Sequence, residues 1–334
     1  MTRKNIVFTG VKTAELRESR IPDATGRNVL VRMEYTVVSG GTERACILGM
    51  PNAGGDTFPK QLGYCGVGRV ERTGEAVSSF SAGDRALVYH GVHSDYNLVD
   101  ESQLTKVEDD AIDSLDASFV IIASMGLGGV RKLELEIGES AMVLGLGLLG
   151  MFSVQFLALS GANPLIAADL NPARRALALE LGADYALDPA EEGFADKVRT
   201  LTKGRGVNGC VEVTGVSKAM SQALDCASWM GRIALLGCTR ISDCAVDYYQ
   251  KVHRPGVKLI GAHNLVRPKV ESHPHHWTHQ DDCRAILDLI AAGKLRVRPI
   301  VSRVAVPEDA SEIYRQLCDD PAFPLGTVFD WRGK

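Results

Sequence analysis

The sequence predicts an α/β protein in which a doubly wound parallel sheet is inserted into a mostly-β domain, and three observations carry that prediction. The first ~120 residues read as β-branched strands separated by Gly, Asp and Ser turns: "NVLVRMEYTVVS", "GVGRVERTG" and "DRALVYHGVHSDYNLV". From "SAMVLGLG" onward apolar strands alternate with helices: "LLGMFSVQFLALSGA", "PLIAADL", "PARRALALELGA", "ADYAL", "FADKVRTLTKG", "VNGCVEVTG", "SKAMSQALDCASWMG", "RIALLGC", "VKLIGA". Apolar strands in such alternation mean a parallel sheet covered on both faces. After Ala262 the rhythm breaks into a polar, His-rich loop, then the helix "DDCRAILDLIAAGKL" and a closing strand "GTVFDW". A chain of 334 residues exceeds the size at which one core usually stops growing. The expected boundaries are 1–124 plus 263–334 for the first domain and 125–262 for the inserted one.

Composition excludes several function classes. The chain is 45% hydrophobic and 23% charged with a net charge of −4, so it carries no basic surplus for nucleic acid or an anionic membrane. The start "MTRKNIVFTG" enters a strand without the apolar core of a signal peptide, and the run "AMVLGLGLLGMF" is too short to span a bilayer. A cytoplasmic location is expected. Eight cysteines without a C-x-x-C pair suggest buried, reduced thiols rather than a zinc knuckle or disulfides.

The inserted domain carries Gly145-x-Gly147-x-x-Gly150 directly after a strand and opening a helix. Gly145 permits the tight turn, Gly147 lets a pyrophosphate approach the backbone, and Gly150 lets helix and strand touch. The amides of the helix start, including Leu148 and Leu149, supply positive potential. This is a Rossmann-type dinucleotide site. Asp169 ends the second strand, where a carboxylate accepts hydrogen bonds from ribose hydroxyls and repels a 2′-phosphate, so NAD is favoured over NADP. Leu170 follows it, and Arg174 and Arg175 are groups that a 2′-phosphate could recruit. The alternative role for Asp169 is a helix N-cap ahead of Asn171-Pro172.

Taken together, "VSGGTE", "LGYCGVGRV", "FSAGDRALV", "VLGLGLLG", "AADLNPARRALALELGAD", "EVTG", "LLG", "IAAGKLRVRPIVS" and "GTVFDW" give the chain a resemblance to the medium-chain dehydrogenase/reductase superfamily over nearly its whole length. The resemblance is to the alcohol, polyol and threonine dehydrogenases, and implies a GroES-like catalytic domain around the Rossmann domain. It also implies cofactor contacts at Thr214, Leu236, Gly237, Ala262 and Asn264, and a homodimer, or dimer of dimers, joined at edge strands such as "RIALLGC" and "VKLIGA".

Where zinc-containing members carry a cysteine ligand this chain has Gly40, and where they carry a His-Glu pair it has Tyr64 and Cys65. The segment "IIASMGLGG" offers no third ligand, and the cysteines of a structural zinc are missing from "HGVHSDYNLVDESQL". The pattern resembles the zinc-lacking bacteriochlorophyllide dehydrogenase branch, and no metal is expected. The resemblance puts Thr42 at the proton-relay position, Tyr64 at the metal-binding histidine and Glu43 at an acid beside the metal, which makes these three the candidate catalytic residues. Tyr64 either moves a proton, which requires a lowered pKa, or fills the vacated space with its hydroxyl paired to Glu43.

His273, His275, His276 and His279, with Asp281, form a cluster in "ESHPHHWTHQDD". Pro274 disfavours the helix that an i, i+4 metal pair needs, so His276 and Trp277 are instead candidates for substrate contact. The expected function is zinc-independent hydride transfer between NAD(H) and a secondary alcohol or ketone, with a polyol, sugar-like or cyclic small molecule as the candidate substrate. An NADPH-dependent enone or quinone reductase and a non-catalytic dinucleotide-binding protein are the alternatives.

Overall fold

The structure is a computed structural model that describes residues 1–55 and 57–333. Following the chain, β1 (Thr2–Gly10) and β2 (Thr13–Arg20) form an antiparallel hairpin, and β3 (Asn28–Val37) leads into the short helix α1 (Gly40–Ile47). Then come β4 (Cys65–Thr73), β5 (Arg85–Tyr89), β6 (Tyr96–Asp100), β7 (Leu104–Lys106) and helices α2 (Ser114–Ala117) and α3 (Val120–Arg131). The alternating region follows as β8 (Ala141–Leu144), α4 (Leu148–Leu159), β9 (Leu165–Ala168), α5 (Pro172–Glu180), β10 (Tyr185–Leu187) and α6 (Phe194–Leu201). It continues through β11 (Val207–Glu212), α7 (Ser217–Cys226), β12 (Ala227–Leu235) and β13 (Lys258–Gly261). The chain ends with α8 (His279–Ala291), β14 (Val301–Ala305), α9 (Ala310–Asp319) and β15 (Gly326–Asp330).

Two compact units result: 1–122 with 283–334, and 123–282. In the first, the strand order is β14-β15-β3-β4-β5-β7, with β6 also paired to β3. The last strand, β15, lies antiparallel to β3, so the end of the chain completes a sheet begun near its start. Its core joins Ile6, Phe8, Ile47, Tyr314, Leu317 and Phe329. Phe8 meets Tyr314 edge to face at 4.6 Å. Buried aromatics of this kind cost about 3–5 kcal/mol when cut back to alanine.

In the second unit the order β10-β9-β8-β11-β12-β13, all parallel, is that of a doubly wound sheet. β8 and β9 are buried at every position because helices cover both faces. α4 is apolar nearly all round and is buried from Gly150 to Leu157. Asn171 caps α5 by accepting from the amides of Ala173 and Arg174, with Pro172 at the first helical position.

Several expectations are corrected. The helix read through "SKAMSQALDCASWMG" stops at Cys226, because Ala227 pairs with Val207 and the chain turns extended at once. Of the two strands expected at an edge, only β13 is one; β12 lies between β11 and β13. Cys238 and Cys244 are exposed rather than buried.

The second domain boundary falls after 282 instead of 262. The reason is an ionic knot. The carboxylate of Asp282, 1% exposed, accepts from Arg131 Nε at 2.7 Å and Arg267 Nη1 at 2.8 Å, so the His-rich segment is tied to α3. Arg267 also donates to the Ser124 carbonyl, and Gly128 makes room for it, since a Cβ there would lie 2.3 Å from Nη2. Trp277 lies under the Arg131 guanidinium at 3.8 Å. Replacing Asp282 by alanine strands two guanidinium groups and is expected to lower unfolding stability by about 3–5 kcal/mol, read from the urea midpoint at unchanged slope.

Candidate active site

Tyr64, Cys65, Gly40 and Glu43 all lie in the first unit, on the segment after Gly63 and on α1. Gly63 has φ +96°, and a Cβ on it would lie 2.7 Å from Cδ2 of His93, so the glycine before Tyr64 both turns the chain and seats that histidine. His93 is fully buried, and the sequence reading missed it.

Glu43 is buried, and its carboxylate is fully engaged. It accepts from the Ser39 amide at 2.7 Å, from the Tyr314 hydroxyl at 2.6 Å and from His93 Nε2 at 3.2 Å. On the other side of the ring, His93 Nδ1 lies 2.7 Å from Thr36 Oγ1, which accepts from Trp331 Nε1 at 2.9 Å. One tautomer satisfies the whole chain: Nε2–H donates to the carboxylate, and Thr36 donates to Nδ1. Glu43 is therefore held in place by three donors.

The Tyr64 hydroxyl is not paired with Glu43. It lies 2.7 Å from Ser39 Oγ. Its pKa is pushed up rather than lowered, by burial first and then by Cys65, against the pull of the Ser39 hydrogen bond. Burial, followed by the charge of Glu43, also raises the Cys65 thiol, which points to the Val37 carbonyl at 3.5 Å. Both groups stay protonated at neutral pH, so the condition for Tyr64 as a general base is not met and it can act as a hydrogen-bond donor. The ring of Tyr64 meets Tyr89 edge-on at 6.3 Å, and Tyr89 stacks on His90 at 3.7 Å. Thr42 sits half-buried in the first turn of α1.

This donor set does not suit zinc. A side chain at Gly40 would meet Leu317 Cδ1 at 3.3 Å, in the apolar core. Glu43 is committed to three donors. Among the described residues no group of three or more His, Cys, Asp or Glu side chains converges on one point. That includes the His-rich segment, where His273 and His276 pair through their backbones and His279 Nδ1 lies 3.1 Å from Ser124 Oγ.

In the second unit the glycine turn has the shape a dinucleotide needs. Gly145 has φ +97°, and a Cβ on Gly150 would lie 2.0 Å from the Gly145 carbonyl oxygen. A Cβ on Gly147 would meet open space, beside the free first-turn amides of α4 that include Leu148 and Leu149. Asp169 is not the helix cap, a task taken by Asn171. Its two oxygens accept one amide each, from Leu146 at 2.7 Å and Asn171 at 2.8 Å, which leaves each a lone pair for a ribose hydroxyl. Leu170 is exposed beside it. Arg175 is held by the carbonyls of Asp169 and Leu170 and by Asp188. Arg174 is half-buried on the first turn of α5.

Glu212, a second residue the sequence reading passed over, shapes the next loop. Its buried carboxylate accepts from the amides of Thr214 at 2.7 Å and Gly215 at 3.2 Å and from the Thr214 hydroxyl. Burial raises its pKa despite these bonds. The Leu236 and Gly237 amides are bonded to the Glu212 carbonyl and the Ala262 amide to that of Leu235, so only their carbonyls remain for a ligand; Asn264 is half-buried nearby in the chain. Both units thus place a carboxylate where it fixes a loop through backbone amides. Substituting Gly63 by alanine is expected to cost at least about 1–3 kcal/mol in urea unfolding, because the new methyl group takes the place of His93 at an unfavourable φ.

Comparison with known proteins finds dehydrogenases, and the family model that matches is a zinc-binding one, so the expected zinc-lacking branch is not borne out. Residues 149–291 match the family model described as zinc-binding dehydrogenase. A probable alcohol dehydrogenase from a Pseudomonas species is 30% identical over 190 residues, 56% of this chain and 58% of the relative. D-guloside 3-dehydrogenase of Escherichia coli is 23% identical over 274 residues, 80% of this chain and 77% of that one. The chain spans about half the length of the first curated relatives it matches. Galactitol-1-phosphate dehydrogenase from Escherichia coli superposes with a TM-score of 0.85 at 18% identity, over 98% of this chain and 99% of that one. The chain has the two-part fold of the alcohol dehydrogenases, and its segment 149–291 has the sequence signature of the zinc-binding dehydrogenase family.

Proposed function

We propose that the chain is an oxidoreductase that interconverts a secondary alcohol and a ketone with NAD(H), and that it works without zinc. The observation that carries this reading is the pairing of a dinucleotide-shaped turn, Gly145 to Gly150 with Asp169, with a metal position rebuilt from hydrogen-bonding groups, Tyr64 and Ser39. A bound nicotinamide dinucleotide would supply or accept the hydride. The substrate oxygen is left to the protein, which meets it with a protonated phenol in place of a Lewis acid. Because burial keeps the Tyr64 phenol protonated, it is suited to hydrogen-bond to a carbonyl oxygen rather than to accept a proton from an alcohol.

The preference for NAD over NADP rests on the charge of Asp169; Arg174 is the one feature favouring a 2′-phosphate and hence an NADPH-dependent reductase. An alcohol-bearing ring or polyol suits the stacked Tyr89 and His90 and the likeness to D-guloside 3-dehydrogenase. His276 is exposed, whereas Trp277 is covered by Arg131. No helix among the described residues is long and apolar enough to cross a membrane, and a cytoplasmic enzyme is the reading we adopt. The open edge of β13 is where a second copy would extend the sheet into a homodimer.

Fluorescence titration should show NADH binding about tenfold or more tightly than NADPH, with Asp169→Asn losing about tenfold for NADH. Equal affinities would reject the NAD assignment. Protein purified without chelators should contain well under one zinc per chain and turn over ketones from a panel of polyol-derived, sugar and cyclic substrates; stoichiometric zinc defeats the metal-free reading, and no turnover across the panel defeats the enzyme reading. The reduction rate should show no break from Tyr64 between about pH 6 and pH 9, since a raised phenol keeps its proton throughout that range.

A further inference from the structure

Glu212 ends β11, the strand that lies between β8 and β12 in the sheet of the second unit. It is buried, and every donor it has is neutral. Oε1 accepts from the Thr214 amide at 2.7 Å and from the Thr214 hydroxyl, and the Gly215 amide lies 3.2 Å from both carboxylate oxygens. The Glu212 carbonyl accepts from the amides of Leu236 and Gly237 at 2.9 and 2.8 Å. A buried carboxylate whose donors are all neutral is costly to keep, yet glutamine would not serve in its place, because its NH2 group would face an N–H donor. The shape of the loop 213–216 thus depends on an anion.

That shape reaches the glycine turn before α4. The Thr214 hydroxyl gives its one proton to Glu212 and accepts from the Val216 amide at 3.0 Å, so it has no proton left to donate to a ligand. Its methyl is what meets the turn: a Cβ on Gly145 would lie 2.7 Å from Thr214 Cγ2. Beyond the loop, a Cβ on Gly237 would lie 2.3 Å from the Gly215 amide nitrogen, and one on Gly215 would lie 2.5 Å from the Cys238 carbonyl oxygen. The ends of three neighbouring strands, β8, β11 and β12, are thus in contact through missing Cβ atoms and one threonine methyl.

We infer that Glu212 is a positioning residue for the dinucleotide: by fixing Thr214 and Gly215 it holds the Thr214 methyl against Gly145, and so keeps the turn from Gly145 to Gly150 in the shape that admits a pyrophosphate. Thr214, which the superfamily resemblance sets beside the cofactor, acts through this methyl and not through a hydroxyl proton. The inference deepens the cofactor reading above and rests on it. Every residue in it lies in the second unit. What Glu212 supplies is preorganisation, which lowers the ordering cost that falls due at the moment of binding. A turn that relaxes without its ligand has to be reordered by it, and the consequence is lost affinity with hydride transfer unaffected.

The test uses the full chain, with NADH as the probe and its binding read by fluorescence. Glu212→Gln should weaken NADH about tenfold, and Thr214→Ser, which keeps the hydroxyl and loses only the methyl, about three- to tenfold. In a ketone-reducing assay the KM for NADH should rise in both variants with kcat within about twofold of the parent. Hydrogen exchange on the ligand-free chain supplies a reading that a general loss of stability would not give. The bonded amides of Gly145, Leu146 and Met151 should exchange at least about fivefold faster in both variants, while β10, at the far edge of the same sheet, keeps the parent rate. Parent affinity in Thr214→Ser, or exchange raised equally in β10 and the turn, would overturn the inference. So would unchanged exchange at the turn in a variant that has lost affinity, since that marks a direct contact with the ligand. If Glu212→Gln does not fold, Thr214→Ser decides alone. If the parent binds neither NADH nor NADPH, it is the cofactor reading itself that fails.

Discussion

The first unit is organised around one buried anion. A carboxylate taken out of water costs several kcal/mol unless it is paired and fully hydrogen-bonded, and Glu43 is answered by an amide, an imidazole and a phenol. Those donors come from distant parts of the sequence: residue 39 on the approach to α1, residue 93 between β5 and β6, and residue 314 on α9. Each donor is thereby located relative to the others. Because Ser39 is one of them, the position of the Tyr64 partner is set by the same anion. Gly63 belongs to this arrangement too, since any larger residue would displace His93. The network also explains why Tyr64 and Cys65 keep their protons: each sits in an enclosed setting with an anion nearby.

The second unit repeats the device with different parts. Asp169 and Glu212 each lie at the end of a strand in a parallel sheet, and each bends the following loop by accepting backbone amides. The glycine turn between β8 and α4 works by the opposite means, the removal of side chains, so that Gly150 can lie against Gly145 and Gly147 stays open. Charged acceptors fix the loops at the strand ends, and missing Cβ atoms keep the turn between β8 and α4 open. The ionic knot of Asp282 with Arg131 and Arg267 extends the unit past β13 by the same logic of satisfying a buried charge.

The sequence by itself determined the architecture. Alternating apolar strands and helices can bury their faces only as a covered parallel sheet, and the glycine spacing before an apolar helix leaves few options for the turn, so the tight turn at Gly145, Gly147 and Gly150 was legible. The resemblance also set Gly40, Tyr64 and Cys65 at the positions of the expected ligands, a reading that needs residue identities and no coordinates. What it left open was which polar groups meet. Tyr64 pairing with Ser39 rather than Glu43, Asn171 capping α5 in place of Asp169, and Trp277 lying under Arg131 are contacts chosen among several that composition allows. His93 and Glu212 carry no local motif that marks them. Only the tertiary structure decided these, because hydrogen-bond partners drawn from segments far apart in the chain are fixed by the requirement that every buried donor and acceptor be satisfied at once, a condition on three-dimensional packing that no stretch of sequence expresses alone.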